Sequence, residues 1–108
     1  MKYRLRITGE AAHRLFAIAK WYAETSLSLE LATTWYDGFL DELEKLRQEP
    51  LRGSLAAENH LFDFELRELY YGSGKRITHR VLYRVVEDTI EALTIRHHAE
   101  RPLQVDDF

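Results

Sequence analysis

Three strand-like segments in close succession, within residues 64–101, most limit the folds that this chain can adopt. The segments are Phe64–Tyr71, Arg76–Val86 and Thr89–His97, and they are separated by Gly72–Gly74 and by Glu87–Asp88. Short runs of β-branched and aromatic residues between glycine or acidic turn residues are typical of antiparallel strands joined by tight turns. We therefore expect a three-stranded antiparallel meander.

Alternation along these strands predicts which side chains are buried, because successive side chains point to opposite faces of a sheet. One face of the middle strand is largely apolar and carries His79, Val81, Tyr83 and Val85. The opposite face collects basic side chains from all three strands: Arg67, Arg80, Arg84, Arg96 and His98. The simplest arrangement buries the apolar face and leaves the arginine face open to solvent.

The first half of the chain predicts one strand and two helices. Lys2–Ile7 alternates between basic and apolar side chains, as in a half-buried strand. Apolar residues follow helical spacing over Thr8–Glu24 and Leu29–Gln48, and Pro50 ends the second helix. The order β-α-α-β-β-β predicts an α+β fold, with a helical hairpin packed on one face of a small, mainly antiparallel sheet.

We expect one core between the hairpin and the sheet. Its predicted members are Tyr3, Leu5, Phe16, Trp35, Phe39, Leu66, Val81, Tyr83, Leu93 and Ile95. Residues 51–63 show little periodicity and are expected to form a connector. The tail offers Leu103, Val105 and Phe108 as docking points, and a length of 108 residues suits one domain, 1–108.

Charge and composition exclude several classes of protein. The net charge of −3 argues against a general polyanion binder, although the first strand is basic, with Arg4 and Arg6, and residues 9–50 are acidic. The absence of cysteine excludes disulfides and thiolate sites. We find no apolar run near ~18 residues and no apolar signal-peptide core, so we expect no membrane contact and a cytoplasmic location.

We also expect neither a metal nor a cofactor. His97 and His98 are adjacent, and adjacent side chains on a strand point to opposite faces, so the pair is poorly placed to chelate a metal. Gly72–Gly74 is too short for a phosphate-binding loop and precedes a strand rather than a helix, so we interpret it as a hairpin turn.

These features together carry a family resemblance over nearly the whole length. They are the basic first strand, the acidic hairpin that ends at a proline, FELREL at 64–69, HRVLYRV at 79–85, IRHHAER at 95–101 and the closing PLQVDDF. The ordered set resembles the RelE/ParE superfamily of toxins from type II toxin–antitoxin systems. The resemblance implies a RelE/ParE-like fold, growth arrest by the free toxin, and a cognate antitoxin that binds it in a hetero-oligomer.

Two activities are known within this superfamily, and the resemblance leaves both open. RelE-like and YoeB-like members cut mRNA, usually on the ribosome, whereas ParE-like members inhibit DNA gyrase by binding and are not nucleases. Arg80 lies where the YoeB-like nucleases have a phosphate-binding arginine, and His98 where they have a histidine active in proton transfer. The ELREL pattern with Arg67, and the ending RHHAER with Arg101, are more ParE-like.

A metal-independent mRNA endoribonuclease is the function that we expect first. It needs a base, an acid and cations that stabilise the charged transition state. The expected catalytic set is Arg80, His98 and Arg67, with Glu58 or Glu100 as a second proton carrier. The expected RNA- or partner-binding set is Arg4, Arg6, Arg84, Arg96 and Arg101.

Two alternatives remain at this point. In the first, the protein is a ParE-like gyrase inhibitor without nuclease activity. In the second, it is a small α+β interaction domain without toxic activity. Separately from the choice of target, we expect the arginine face to bind an acidic segment of the antitoxin.

Overall fold

The computed structural model describes residues 2–72 and 76–107. Its elements are β1 (Arg4–Ile7), α1 (Gly9–Ser26), α2 (Leu29–Leu46), β2 (Ser54–Leu55), β3 (Arg67–Tyr71), β4 (His79–Val86) and β5 (Thr89–His97), with 3₁₀ helices at Ala57–Leu61 and Val105–Asp107. The strand order is β1-β5-β4-β3-β2, with β1 parallel to β5 and every other pair antiparallel. The predicted α+β fold, a helical hairpin on a mainly antiparallel sheet, is confirmed.

Side-chain caps fix where the two helices begin. The Thr8 hydroxyl accepts a hydrogen bond from the Ala11 N–H at 3.2 Å, and the Ser28 hydroxyl accepts one from the Leu31 N–H at 3.1 Å. These bonds satisfy N–H groups that have no partner within the helix. Between the helices Leu27 adopts a left-handed conformation, with φ of 55°, and ends α1.

The main core lies between the hairpin and the sheet, as predicted. Trp35, Phe39 and Leu43 of α2 pack with Val81 and Tyr83 of β4 and with Ile90, Ala92 and Ile95 of β5. Tyr83 is fully buried, and its hydroxyl donates to the Pro50 carbonyl at 2.9 Å and accepts from the Gly53 N–H at 3.0 Å. A side chain at Gly53 would collide with this hydroxyl and with the Glu68 carbonyl, so glycine permits the close approach.

A second apolar cluster lies on the opposite face of the sheet, which the sequence predicted to be open. It contains Ala56, Leu66, Leu82 and Leu103, with Phe62, Phe64 and Leu93 packed against it. The connector and the tail supply its cover, and Leu103 docks there as predicted, while Val105 is exposed and Phe108 lies outside the described residues. The expectation of an open arginine face is therefore wrong.

A β-bulge explains part of this difference. The register shifts between Leu82, which pairs with Thr94, and Tyr83, which pairs with Ala92. Leu93 is the extra residue, so Ala92 joins the hairpin-side core and Leu93 packs on the other face.

Three predicted members of the main core were wrongly placed. Leu66 and Leu93 belong to the second cluster, and Phe16 is 70% exposed on α1. Strand starts also differ, because β3 and β4 begin at Arg67 and His79 rather than at Phe64 and Arg76. Ser73 and Gly74 of the predicted turn lie outside the described residues. Within residues 2–72 and 76–107, no helix has the length and apolar character that crossing a membrane requires.

Replacing Tyr83 by phenylalanine tests the contact that joins the sheet to the connector. The change should destabilise the fold by about 1–3 kcal/mol, because the buried Gly53 N–H and Pro50 carbonyl both lose a partner. Urea denaturation measures the effect, with Phe16→Ala as an exposed control that should stay within about 0.5 kcal/mol of the wild type. A Tyr83→Phe variant of unchanged stability would show that these bonds contribute nothing.

Candidate functional site

Arg80, the expected catalytic cation, lies between two carboxylates. Its guanidinium nitrogen Nη1 is 2.9 Å from Glu58 Oε1, on the 3₁₀ helix, and 2.8 Å from Glu68 Oε2, on β3. The three side chains are nearly buried, at 12%, 5% and 8% exposure. Glu58 also accepts the backbone N–H of Leu103 at 2.9 Å, which ties the tail to this ion triad of Glu58, Arg80 and Glu68.

The electrostatics of the ion triad follow from these contacts. Hydrogen bonds from Arg80 lower the pKa of Glu58 to about 2, against the opposing effect of burial. The hydrogen bonds to Glu58 and Glu68 raise the pKa of Arg80 above its ordinary value. Glu68 accepts a further bond from the Tyr70 hydroxyl. One cation between two carboxylates leaves a net negative charge, so Arg80 is not free to bind a phosphate.

The other arginines of this face also have partners. Arg84 Nε lies 2.6 Å from Glu91 Oε1, and its guanidinium sits 4.9 Å above the Phe64 ring. Arg6 pairs with the same Glu91. The pKa of Glu91 is lowered, and its hydrogen bond with Arg84 is the largest cause. Arg96 is only 3% exposed and donates to the Arg101 carbonyl at 2.7 Å.

Arg67 lies on the other face from Arg80. It pairs with Tyr83 across the β3–β4 ladder, and directly paired residues share a face, so Arg67 is on the hairpin side. Its guanidinium donates to the Gly53 carbonyl at 2.6 Å and to Glu65 at 2.7 Å. The prediction that Arg67 and Arg80 share one face is wrong.

His98 is exposed just beyond β5. Its Nδ1 lies 3.0 Å from the Thr78 carbonyl, and its ring packs 4.7 Å from that of His97. Of the two candidate second proton carriers, Glu58 is held by Arg80, and Glu100 contacts Arg14 at 3.3 Å. The role of His98 in proton transfer stays a prediction.

Among the arginines of the two predicted sets, the three most exposed lie at the periphery. The side chains of Arg4, Arg6 and Arg101 are 81%, 65% and 54% exposed. Arg4 lies 3.8 Å from Asp88, and Arg101 pairs with Asp107, whose hydrogen bonds raise the pKa of Arg101. Of the predicted partner-binding set, these three present their charge to solvent.

The sequence interpretation missed an apolar groove on the outer side of the hairpin. The groove has a volume of about 280 Å³ and lies between α1 and α2. Its lining includes Phe16, Ala19 and Ala23 of α1 and Leu29 and Tyr36 of α2. The helical spacing of Phe16, Ala19 and Ala23 was a visible signal of a second apolar stripe.

His79 is buried against aromatic rings. Its ring centroid lies 5.3 Å from that of Trp35 and 5.2 Å from that of His97, and its Nδ1 is 2.8 Å from the Thr78 hydroxyl. Burial is the main cause that lowers the pKa of His79 to about 4, and repulsion from His97 is the second. Among the residues that the structure describes, no group of three or more histidine, cysteine or acidic side chains is arranged to hold a metal.

Removing the Arg80 charge should destabilise the protein strongly. Arg80→Met leaves Glu58 and Glu68 buried without their cation, which should cost about 3–5 kcal/mol in denaturation experiments. Adding Glu58→Gln and Glu68→Gln should recover much of this loss, since the uncompensated charges are then gone. Arg84→Met, which removes a more exposed cation, is the matched control and should cost about 1 kcal/mol or less. Equal losses in the two single variants would contradict a structural role specific to Arg80.

His79 should make the stability of the protein depend on pH. Its pKa falls from 6.5 to about 4 on folding, so the unfolded chain binds a proton more readily and stability declines as pH falls from 6.5 to about 4. The total loss should be about 3 kcal/mol. Glu58 acts in a lower window, because its stabilisation is lost only as pH falls from about 4.5 towards 2. His79→Phe should flatten the slope between pH 4 and 6.5 in denaturation curves, whereas the exposed-site control His98→Gln should retain it.

Comparison with known proteins accords with this fold. The family model of the ParE toxin of type II toxin–antitoxin systems, parDE, matches residues 5–102. No curated protein sequence matches the chain significantly. A chain of the chromosomal ParDE toxin–antitoxin system from P. aeruginosa is similar to it with a TM-score of 0.69 and 22% identity, over 89% of this chain and 96% of that one.

A chain of the RelBE2 toxin–antitoxin complex from Mycobacterium tuberculosis has a TM-score of 0.54 and 21% identity, over 91% of this chain and 100% of that one. At these identities the two solved structures support the fold alone. The family match spans most of the sequence, from β1 to the residue before Leu103. The chain therefore belongs to the ParE toxins of type II toxin–antitoxin systems, within the RelE/ParE superfamily.

Proposed function

We propose that this toxin arrests growth by binding DNA gyrase, without cutting mRNA, and that a cognate antitoxin neutralises it. The observation that carries the proposal is the ion triad, in which Arg80 is held by Glu58 and Glu68. Membership of the ParE family supports gyrase as the target, as the ParE resemblance implies.

Cleavage of RNA needs a cation that is free to stabilise the charge on the reacting phosphate. A phosphate that reached Arg80 would have to displace one carboxylate and would then lie beside two anions in a poorly hydrated site. The three residues of the expected nuclease set also do not converge. Arg67 lies on the hairpin side of the sheet, and Arg80 lies on the opposite face. His98 lies beyond the end of β5, where it contacts Thr78.

Exposed surfaces instead support recognition of proteins. Arg4, Arg6 and Arg101 offer peripheral cations, and Phe16 and Leu29 expose apolar area on the hairpin. Large exposed apolar patches commonly mark protein–protein contacts. We assign the peripheral arginines Arg4 and Arg101 to the gyrase contact.

The antitoxin is the partner that we assign to the hairpin. Both structural neighbours described above come from toxin–antitoxin systems. We predicted that an acidic antitoxin segment binds an open arginine face. The structure does not support this binding mode, because the connector and the tail cover that face. The apolar groove between α1 and α2 offers an alternative binding surface, in which a helix of the antitoxin can bury its apolar side.

Purified toxin should block supercoiling by gyrase and leave cellular transcripts uncut. Arg101→Ala, together with Arg4→Ala, should raise the inhibitory concentration about fivefold or more, the effect of losing roughly 1 kcal/mol of binding energy. Lys45→Ala removes an exposed cation of α2 and serves as the matched control. Supercoiling assays measure inhibition, and mapping of transcript ends after induction measures cleavage. New transcript ends that disappear in His98→Gln, with supercoiling intact, would contradict the proposal and favour the nuclease.

A further inference from the structure

We propose that a cleft lined by aromatic and imidazole rings, between α1 and the ends of β4 and β5, binds an aromatic side chain of the antitoxin. This ring-lined cleft is formed by two adjoining cavities of about 340 and 440 Å³, which share Ile18, His79 and His97. The inference rests on the proposed function only in taking the antitoxin as the partner.

The walls of the ring-lined cleft form a continuous series of rings. Trp21 and Tyr22 meet edge to face with centroids 5.2 Å apart, and Tyr22 lies 6.5 Å from His79. His79 and His97 again meet edge to face, at 5.2 Å and 83°. Aromatic rings prefer such edge-to-face or offset contacts at centroid separations of about 4.5–7 Å. A further ring that enters the cleft extends this arrangement.

The imidazoles also offer polar atoms at the edge of an entering ring. Nδ1 of His97 accepts the Ala99 N–H at 3.1 Å, so the neutral ring carries its proton on Nε2 as a donor. Nδ1 of His79 is engaged by the Thr78 hydroxyl, which leaves Nε2 of this ring for a ligand. Tyrosine and tryptophan combine an apolar ring with one polar group, and these are the side chains that such a cleft suits.

Charge in the ring-lined cleft disfavours a nucleotide. Glu10 and Glu100 line the larger cavity, and the guanidinium of Arg14 contacts them at 3.0 and 3.3 Å. Arg14 is thus already shared by two carboxylates, and a phosphate would meet their negative charge. A neutral side chain does not incur this repulsion, so the cleft suits a protein better than an RNA.

Exposure of apolar side chains favours the antitoxin over a transient target. Trp21 at the cleft is 59% exposed, and Phe16 and Leu29 on the hairpin are 70% and 75% exposed. Permanent complexes cover larger and more apolar surfaces than transient ones, and an antitoxin stays bound while the toxin is silent. Concave sites that take a single aromatic residue are also typical positions of binding hot spots.

A small probe tests the cleft itself. N-acetyl-L-tryptophanamide, added to the free toxin, should shift the imidazole NMR signals of His79 and His97 in a saturable way. Adenosine 5′-monophosphate has a comparable ring and a phosphate, and it should need at least about a tenfold higher concentration. Absence of any shift with the tryptophan probe, or tighter binding of the nucleotide, would overturn the proposal.

Variants of the toxin–antitoxin complex test the partner. Trp21→Ala should weaken the purified complex by about 10- to 100-fold in Kd, as for an aromatic hot spot. Ala17→Phe, at an exposed position of the lining, should weaken it by partly filling the cleft. Leu51→Ala, which truncates an exposed leucine of the connector, is the matched control and should leave the affinity unchanged.

Complexes of Trp21→Ala and Ala17→Phe that are as tight as the wild type would also overturn the proposal. Thermal unfolding of each free variant checks that it is folded. Supercoiling inhibition by the free wild-type toxin is measured separately, so a failure of the gyrase assignment is distinguishable from a failure of the cleft.

Discussion

The ion triad of Glu58, Arg80 and Glu68 determines how the connector and the tail cover the face of the sheet opposite the hairpin. Through it, one buried guanidinium joins the 3₁₀ helix of the connector to β3 and β4, and Glu58 extends the connection to the backbone of Leu103. The apolar side chains of Leu66, Leu82 and Leu103 are buried on the same face. Such a buried cluster of charges is tolerable only while every member keeps its partners, so the cover of this face and the pairing of Arg80 depend on each other.

Local sequence patterns were sufficient for the two helices, for four of the five strands and for most of the hairpin-side core, but not for β2 or the 3₁₀ helices. Helical spacing identified Trp35, Phe39 and Leu43, and alternation identified Val81 and Tyr83. The errors arose where the structure depends on a neighbouring strand. Alternation assumes an unbroken pleat, and the bulge opposite Leu82 and Tyr83 exchanges the faces of Ala92 and Leu93. A signal was present in β5, because its apolar alternation changes phase from Ile90 and Ala92 to Leu93 and Ile95.

The candidate site shows the same division between local and long-range information. Cross-strand pairing of Arg80 with Arg96 agrees with the prediction that these arginines share a face. Their partners were harder to foresee, because Glu58 comes from a connector without periodicity and reaches Arg80 across 22 residues of sequence. Glu91 was more accessible to prediction, since a two-residue turn at Glu87–Asp88 places it directly opposite Arg84. For Arg80 the register gives no such signal, because Tyr70 and Arg96 are its direct cross-strand neighbours.

The positions of the charged side chains bear on the mechanism more than the net charge of the protein does. A catalytic cation must be held in place and yet remain unpaired until the substrate arrives, which requires a surrounding structure that tolerates its charge. Arg80 and Arg84 are held in place by carboxylates that already pair with them, so their positions stabilise the fold. The groups left exposed are peripheral arginines and the apolar side chains of α1 and α2. Proteins commonly recognise other proteins through such groups. For inhibition by binding, the sheet has only to hold these groups in fixed positions.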